Sequence, residues 1–193
     1  MPDASDKLVR DLKNFVAGEW VDSDDRIEVT NPYTNEVVGT VPKMGLDQVK
    51  KAIDFMYDYE PELTAYERSE ILRASAAEIK SRTDELAYGI SLESGMSIQD
   101  STKEVGRGVG LILTAAEEAK RIMGEQLPSD VDASGADKLI LALRHPVGLV
   151  SAIVPFNRPM NQVVVKVAPS FAAGNKTIVK PTERTPMSAI RFV

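Results

Sequence analysis

The 193-residue chain contains no cysteine, so within these residues disulfides, thiolate metal sites and cysteine nucleophiles are excluded. A single histidine, His145, leaves a zinc site or a serine-type triad without its usual parts. No apolar run reaches the roughly 18 residues needed to span a bilayer. The opening residues, MPDASDKLVRDLK, carry neither a secretory apolar region nor an Arg-rich, acid-poor transit pattern, so a cytoplasmic location with no membrane partner is expected. Positive charge is also short: the formal net charge is −6, and without Lys and Arg clusters no nucleic-acid partner is expected. What remains is ordinary for a soluble α/β protein, 43% hydrophobic and 27% charged.

The pattern of the chain changes several times. FVAGEW, RIEVTNP and NEVVGTVPK read as three short strands joined by turns, a β-meander closing a first region, 1–43, with Trp20 and Phe15 as packing anchors. Residues 44–124 read as a helical layer. Leu46, Val49, Ile53 and Met56 recur at helical spacing, and Thr64 with Glu67 forms a capping box for a second helix whose apolar face is Ile71, Leu72, Ser75 and Ile79. Asp84 and Glu85 open a third helix that stops near Gly95. A fourth runs from about Ser97 to Met123 on a stripe of Val105, Val109, Ile112, Ala116, Ala119 and Met123, with Met123 as core. Its Gly106-Arg107-Gly108-Val109-Gly110 run fails the dinucleotide spacing and lacks a preceding strand, so close helix packing is the reading of the glycines. Arg107, flanked by two of them, is either a ligand contact or a solvated surface cation.

Residues 125–137 read as a connecting loop and 138–154 as two strands. His145, next to Pro146, fits a turn or packing role, since no carboxylate or nucleophile is near it in sequence. VGLVSAIV, Val147 to Val154, is apolar on both faces, as in a parallel strand covered by helices on each side. It opens a βαβ unit, 147–193: a polar turn at Asn157-Arg158, a helix from Pro159 to an Ala-Ala-Gly-Asn stop, a strand Lys176 to Lys180, and a helix capped by Thr185-Pro186. Parallel strands place Asn157, Arg158, Lys180 and Glu183 at one carboxyl edge, where α/β sheets bind ligands. Lys180 and Glu183 suit a ribose, or else form a surface salt bridge in a turn.

IVPFNRP, KVAPSFAAGN and KPTERTP, in this order and spacing, resemble successive motifs of the aldehyde dehydrogenase superfamily; RHPVG and the strands around FVAGEW extend the likeness over nearly the whole chain. The resemblance implies the amino-terminal part of that α/β fold: a small β-meander, a helical layer and the start of a parallel, Rossmann-like cofactor sheet. Asn157 then matches the asparagine whose amide donates to the oxyanion when a cysteine thiolate attacks an aldehyde, a role worth roughly 3 to 4 kcal/mol of barrier. Lys180 and Glu183 match the residues holding the adenosine ribose of NAD or NADP, and Ile153, Val154, Pro155 and Phe156 match the strand end against the cofactor. Glu183 favours NAD by repelling a 2′-phosphate, while Lys180 and Lys176 offer compensation. Lys166 matches a lysine associated with proton movement; read alone it is one cation in an apolar helix, compatible with a snorkelling side chain.

Arg158 stands where the family often carries an apolar or aromatic channel residue. With Arg107 it would offer a fork to a phosphonate, phosphate, sulfonate or carboxylate, and PFNRPMNQVVVKVAPS is similar to the branch oxidising phosphonoacetaldehyde and its anionic relatives. The resemblance places the cysteine nucleophile and the general-base glutamate beyond Val193. The expectation is therefore an amino-terminal fragment, inactive alone towards aldehydes, of an enzyme that oxidises an aldehyde to a carboxylate through a thiohemiacetal and a thioester. Full length, it is expected to be a homodimer or homotetramer, with the Lys138 to Val154 strands in the pairing ribbon. The rival expectation is a non-catalytic binding or assembly module on the same scaffold.

Overall fold

The computed structural model describes residues 10–193, and the start of the expected polar tail, residues 1–9, lies outside the described residues. The first region is two hairpins rather than a three-strand meander. FVAGEW itself turns back: β1 (Asn14–Val16) pairs antiparallel with β2 (Glu19–Val21) across Ala17 and Gly18, both at positive φ, the geometry a two-residue hairpin turn requires. Phe15 and Trp20 are cross-strand partners whose ring centroids lie 5.1 Å apart, but they are 45% and 54% exposed and anchor no core. The second hairpin, β3 (Arg26–Thr30) with β4 (Val37–Pro42), buries Val29, Val38 and Val41. Its turn is held by Asn31, whose side-chain oxygen accepts from the N–H groups of Tyr33 and Thr34.

Helix α1 (Leu46–Asp58) forms as its periodicity predicts, yet buries no residue; Leu46, Val49 and Ile53 are exposed. Periodicity defines an apolar face without supplying a partner for it. Helix α2 (Ala65–Ser81) begins at the predicted capping box, with the Glu67 N–H donating to the Thr64 hydroxyl and the Thr64 N–H to the Glu67 carboxylate. Its buried face is Ser69, Leu72, Ala76 and Ile79, rotated from the expected one, with Ile71 exposed and Ser75 half-buried. Helix α3 (Thr83–Ser94) stops at Gly95, whose φ of 71° is left-handed. Helix α4 (Ile98–Glu118), capped by Ser97, packs against α2 and α3. Val105, Ile112, Ala116 and Ala119 are buried as the stripe predicts, but the helix ends before Met123, which is 74% exposed and not core.

The expected loop 125–137 holds a strand, β5 (Glu125–Leu127), paired antiparallel with β6 (Ile140–Ala142); every residue of this ribbon is exposed. After it, β7 (Leu149–Ile153), helix α5 (Asn161–Ala172) and β8 (Lys176–Lys180) form the predicted unit, with β7 and β8 parallel and Ile153 opposite Lys180. Within the described residues β7 has one buried residue, Ala152, and Ile153 is 67% exposed, so the expected cover on both faces is not made by this chain alone. Helix α6 (Pro186–Phe192) follows; Thr185 precedes it without donating or accepting a side-chain cap bond.

One core joins Leu72, Ile79, Ile90, Ile112, Met160 and Val164 from the helices α2 to α5. Each such side chain stabilises by roughly 1.5–3 kcal/mol relative to exposure. A second core seats Met187 and Ile190 of α6 on Val29, Val38 and Val41, and a third joins Val154, Val163 and Ala189. Together they hold the carboxyl ends of β7 and β8 against α4 and α6. Among the described residues, no helix is long and apolar enough to cross a membrane.

Candidate functional site

Because β7 and β8 are parallel, the turns that leave them, 154–160 and 181–185, emerge at one edge of the sheet. The backbone continues the ladder one step past β7, with the Val154 N–H donating to the Lys180 carbonyl at 3.2 Å. Val154 is buried and anchors the strand end. Ile153, Pro155 and Phe156 are exposed and form an apolar shelf on the edge. The Arg184 guanidinium stacks over the Phe156 ring at 5.1 Å and ties the two turns together. Asn157 is exposed on the first turn.

On the second turn, Lys180 donates to the Glu183 carboxylate at 2.7 Å and to the Pro181 carbonyl at 3.1 Å. That bond holds the Glu183 carboxyl below its ordinary value. Lys180 and Glu183 are thus a salt bridge and, at the same time, an adjacent donor and acceptor facing outward, the combination a pair of ribose hydroxyls needs. Lys176 does not join them. It lies at the opposite end of β8, where its ammonium donates to the carbonyls of Tyr57 and Tyr59 and pairs with Glu60, satisfying orphan carbonyls at the end of α1. It cannot compensate for Glu183 against a 2′-phosphate.

The two arginines are not the free fork that their sequence positions imply. Arg158 extends from the first turn to α4, where its Nη1 stands 3.8 Å from a carboxylate oxygen of Glu104 and 3.7 Å from Met96 Sδ. Arg107, exposed on the next turn of α4, acts electrostatically on the same carboxylate. Glu104 itself is fully buried, and its other oxygen accepts the N–H groups of Met160 and Asn161 at 3.0 and 3.1 Å. Burial raises its carboxyl above the ordinary value, opposed by those N–H groups and then by Arg158 and Arg107. Lys166 is half-buried and turned along its own helix, donating to the Gln162 carbonyl at 3.1 Å and side-chain oxygen at 3.0 Å, so it does not reach the Asn157 turn by any hydrogen bond.

Glu104 and Arg184 escape a reading of the sequence. A signal for Glu104 is present: it lies between Ser101 and Gly108 on the buried stripe of α4, a carboxylate on an apolar face. Gly108 shares that face, and a Cβ there would stand 2.9 Å from Met160 Cε and 3.1 Å from Asn161 Oδ1. Close helix packing therefore explains Gly108, whereas Gly106 and Gly110 have open space around them.

The aldehyde dehydrogenase family model matches residues 20–193, a span that includes every element of this edge. The chain belongs to the aldehyde dehydrogenase family. Among its dehydrogenase relatives, a 3-sulfolactaldehyde dehydrogenase of Priestia megaterium is 37% identical over 179 residues, covering 92% of this chain and 38% of that protein. Aldehyde dehydrogenase 21 of Physcomitrella patens, solved with the reaction product succinate, superposes with a TM-score of 0.91 at 37% identity, over 96% of this chain and 39% of that one. An NADP-dependent glyceraldehyde-3-phosphate dehydrogenase of Bacillus halodurans, solved with NADP, gives 0.88 at 30% identity, over 94% and 40%. The fold is thus the amino-terminal part of the aldehyde dehydrogenase fold, and the chain spans about 38% of the length of the curated relatives it matches.

Proposed function

We propose that this chain supplies the oxyanion donor, the adenosine edge and one wall of the substrate passage of an NAD(P)-dependent aldehyde dehydrogenase acting on an anionic aldehyde. The observation that carries the reading is the shared edge: the parallel β7 and β8 put the exposed Asn157 amide and the Lys180–Glu183 pair on neighbouring turns, tied by Arg184 over Phe156.

The residues fit a dinucleotide. The Glu183 carboxylate accepts from a ribose hydroxyl, the Lys180 ammonium donates to one, and Ile153 with Phe156 offers an apolar surface for a flat base. A bound nicotinamide supplies the acceptor for the hydride that leaves the aldehyde carbon. The role of Asn157 is to direct its amide N–H at the oxygen of that carbon as charge develops there. Glu183 disfavours the 2′-phosphate of NADP while Lys180, paired with it, offsets that repulsion, so the reading covers NAD or NADP.

Arg158 pairs with Glu104, and Arg107 acts on the same carboxylate, so two guanidinium groups gather about one buried carboxyl beside the Asn157 turn. Relatives named for a sulfonated aldehyde and a phosphorylated one, and a neighbour holding succinate, support an oxyanion on the substrate. Phosphonoacetaldehyde belongs to the same chemical class and rests on the sequence resemblance alone. A part for Lys166 in proton movement is proposed on the sequence resemblance alone, its ammonium donating here to Gln162 on α5. Pairing into a homodimer or homotetramer is proposed to run through the β5–β6 ribbon, whose exposed Leu127, Ile140 and Leu141 support an interface.

The test is a titration of the chain with NAD+ and NADP+ followed by the backbone resonances of residues 153–156 and 180–183. Saturable changes confined to these turns are expected, with NAD+ bound about tenfold more weakly by Glu183→Gln, one charge-assisted hydrogen bond being worth about 1.5–3 kcal/mol. Changes spread over the surface, or none, would sink the proposal.

A further inference from the structure

We infer that Glu104 is a positioning residue for the Asn157 turn, gripping it on both sides of Pro159 with a single buried carboxylate. The functional part of this inference rests on the roles proposed above for Asn157 and Arg158; the clamp itself does not.

Helices α2 and α4 obtain their N-terminal caps locally, from Thr64 and Ser97. Helix α5 has none: Met160 stands at its cap position without a side-chain bond, and Pro159 has no N–H to donate. Its first two donors, the N–H groups of Met160 and Asn161, go instead to one oxygen of Glu104, 56 and 57 residues away in sequence. The second oxygen has no hydrogen-bond partner, is buried, and looks towards Arg158 Nη1 at 3.8 Å. Arg158 precedes Pro159 and the two donors follow it, so the carboxylate bridges the turn.

Burying a carboxylate is costly, and a serine or threonine in the turn would cap α5 without that cost. What the distant carboxylate adds is a link between the turn and α4. Gly108, one helical turn beyond Glu104 on the same face, makes the link possible by letting α4 approach Met160 and Asn161 to a distance that a side chain would forbid. The consequence is that Asn157, two residues before Pro159, is carried by a turn fixed to the core helix, while the Arg158 guanidinium is aimed by an ion pair and left 40% exposed. An anion approaching this turn meets a pre-oriented donor. It also competes with Glu104 for it.

The experiment is solution NMR on the full 193-residue chain and its Glu104→Gln, Glu104→Leu and Arg158→Met variants. Glutamine keeps an oxygen for the two N–H groups but removes the ion pair. Amide exchange at Met160 and Asn161 should therefore stay close to that of the parent, while the Arg158 side-chain resonances shift towards those of an arginine with no ion pair. In Glu104→Leu the two amides should also exchange about tenfold faster or more, with Ile112 and Ala116 still protected. Arg158→Met should leave Met160 and Asn161 protected. If the Arg158 side-chain resonances are unchanged in Glu104→Gln, the clamp is refuted, and this holds even where the leucine variant fails to fold. Inorganic sulfate tests the functional part separately: shifts at Arg158 that grow stronger in Glu104→Gln support both, whereas no shift in any variant overturns anion recognition, and the clamp then stands or falls on the Arg158 resonances and the amide exchange.

Discussion

Glu93 on α3 accepts the backbone N–H of Ser188, 95 residues later in the chain, at 2.8 Å, and with its other oxygen the N–H of Met187 at 2.9 Å. Like Glu104 at α5, it caps a helix that follows a strand of the parallel pair, from within the helical layer. The carboxyl edge of the sheet is therefore held by two buried carboxylates, neither of which lies near it in sequence.

Desolvation pushes the Glu93 carboxyl up to about 7, against the pull of the Ser188 and Met187 N–H groups and the charge of Arg191. A carboxyl that keeps its proton longer when folded than when unfolded makes the native state the stronger proton binder between the two values, so stability falls as pH rises through that window. From an ordinary value of 4.5 to about 7, the loss is on the order of 3 kcal/mol. Urea unfolding of the chain at pH 5 and pH 7.5 should show lower stability at the higher pH, and the decline should be smaller in Glu93→Gln. An identical decline in both would remove Glu93 as its source.

The capping box of α2 gives a prediction of opposite sign. Glu67 is held below its ordinary value by the Thr64 backbone and side chain, so its contribution is present at neutral pH and fades as pH falls through the lowered value. Thr64→Ala should destabilise by about 1 kcal/mol at pH 7, measured by denaturant midpoint, with a smaller effect at pH 3. A cost independent of pH would mean that Glu67 takes no part.

Three glycines of α4 should respond differently to alanine. Gly106 and Gly110 have nothing near a new Cβ, so their replacement should stabilise by about 0.5–1 kcal/mol through helix propensity. At Gly108 the new atom presses on Met160, and Gly108→Val in particular should cost about 1–3 kcal/mol through overpacking. Thermal melts of the single variants decide this; a neutral Gly108→Val would show that α4 and α5 have room to separate.

Charge recognition is tested by kinetics. In a dehydrogenase of full family length carrying this segment, Arg107→Ala or Arg158→Ala should lower kcat/KM for an anionic aldehyde about tenfold more than for a neutral analogue, one lost charge-assisted contact being worth about 1.5–3 kcal/mol. Equal losses on the two substrates would rule out recognition of the charged tail.

What was legible in the sequence is what neighbouring residues settle between themselves. The Thr64–Glu67 cap, the stop at Gly95, the strand Lys176 to Lys180 and the parallel βαβ unit depend on contacts or backbone preferences within a few residues, or on a handedness rule that applies to any such unit. The motifs around Asn157 and Glu183 sufficed for the family. Periodicity was weaker evidence: it made α1 a helix with an apolar face that none of the described residues buries, and placed Ile71 inside where α2 turns it outward. Tertiary structure alone decided which charges meet. Arg158 finds Glu104, Lys176 finds the end of α1, and Arg184 finds Phe156, because burial and geometry bring together groups whose separation along the chain carries no signal. A carboxylate on an apolar stripe marks a cost in the sequence; only the fold shows the helix end and the arginine that it holds.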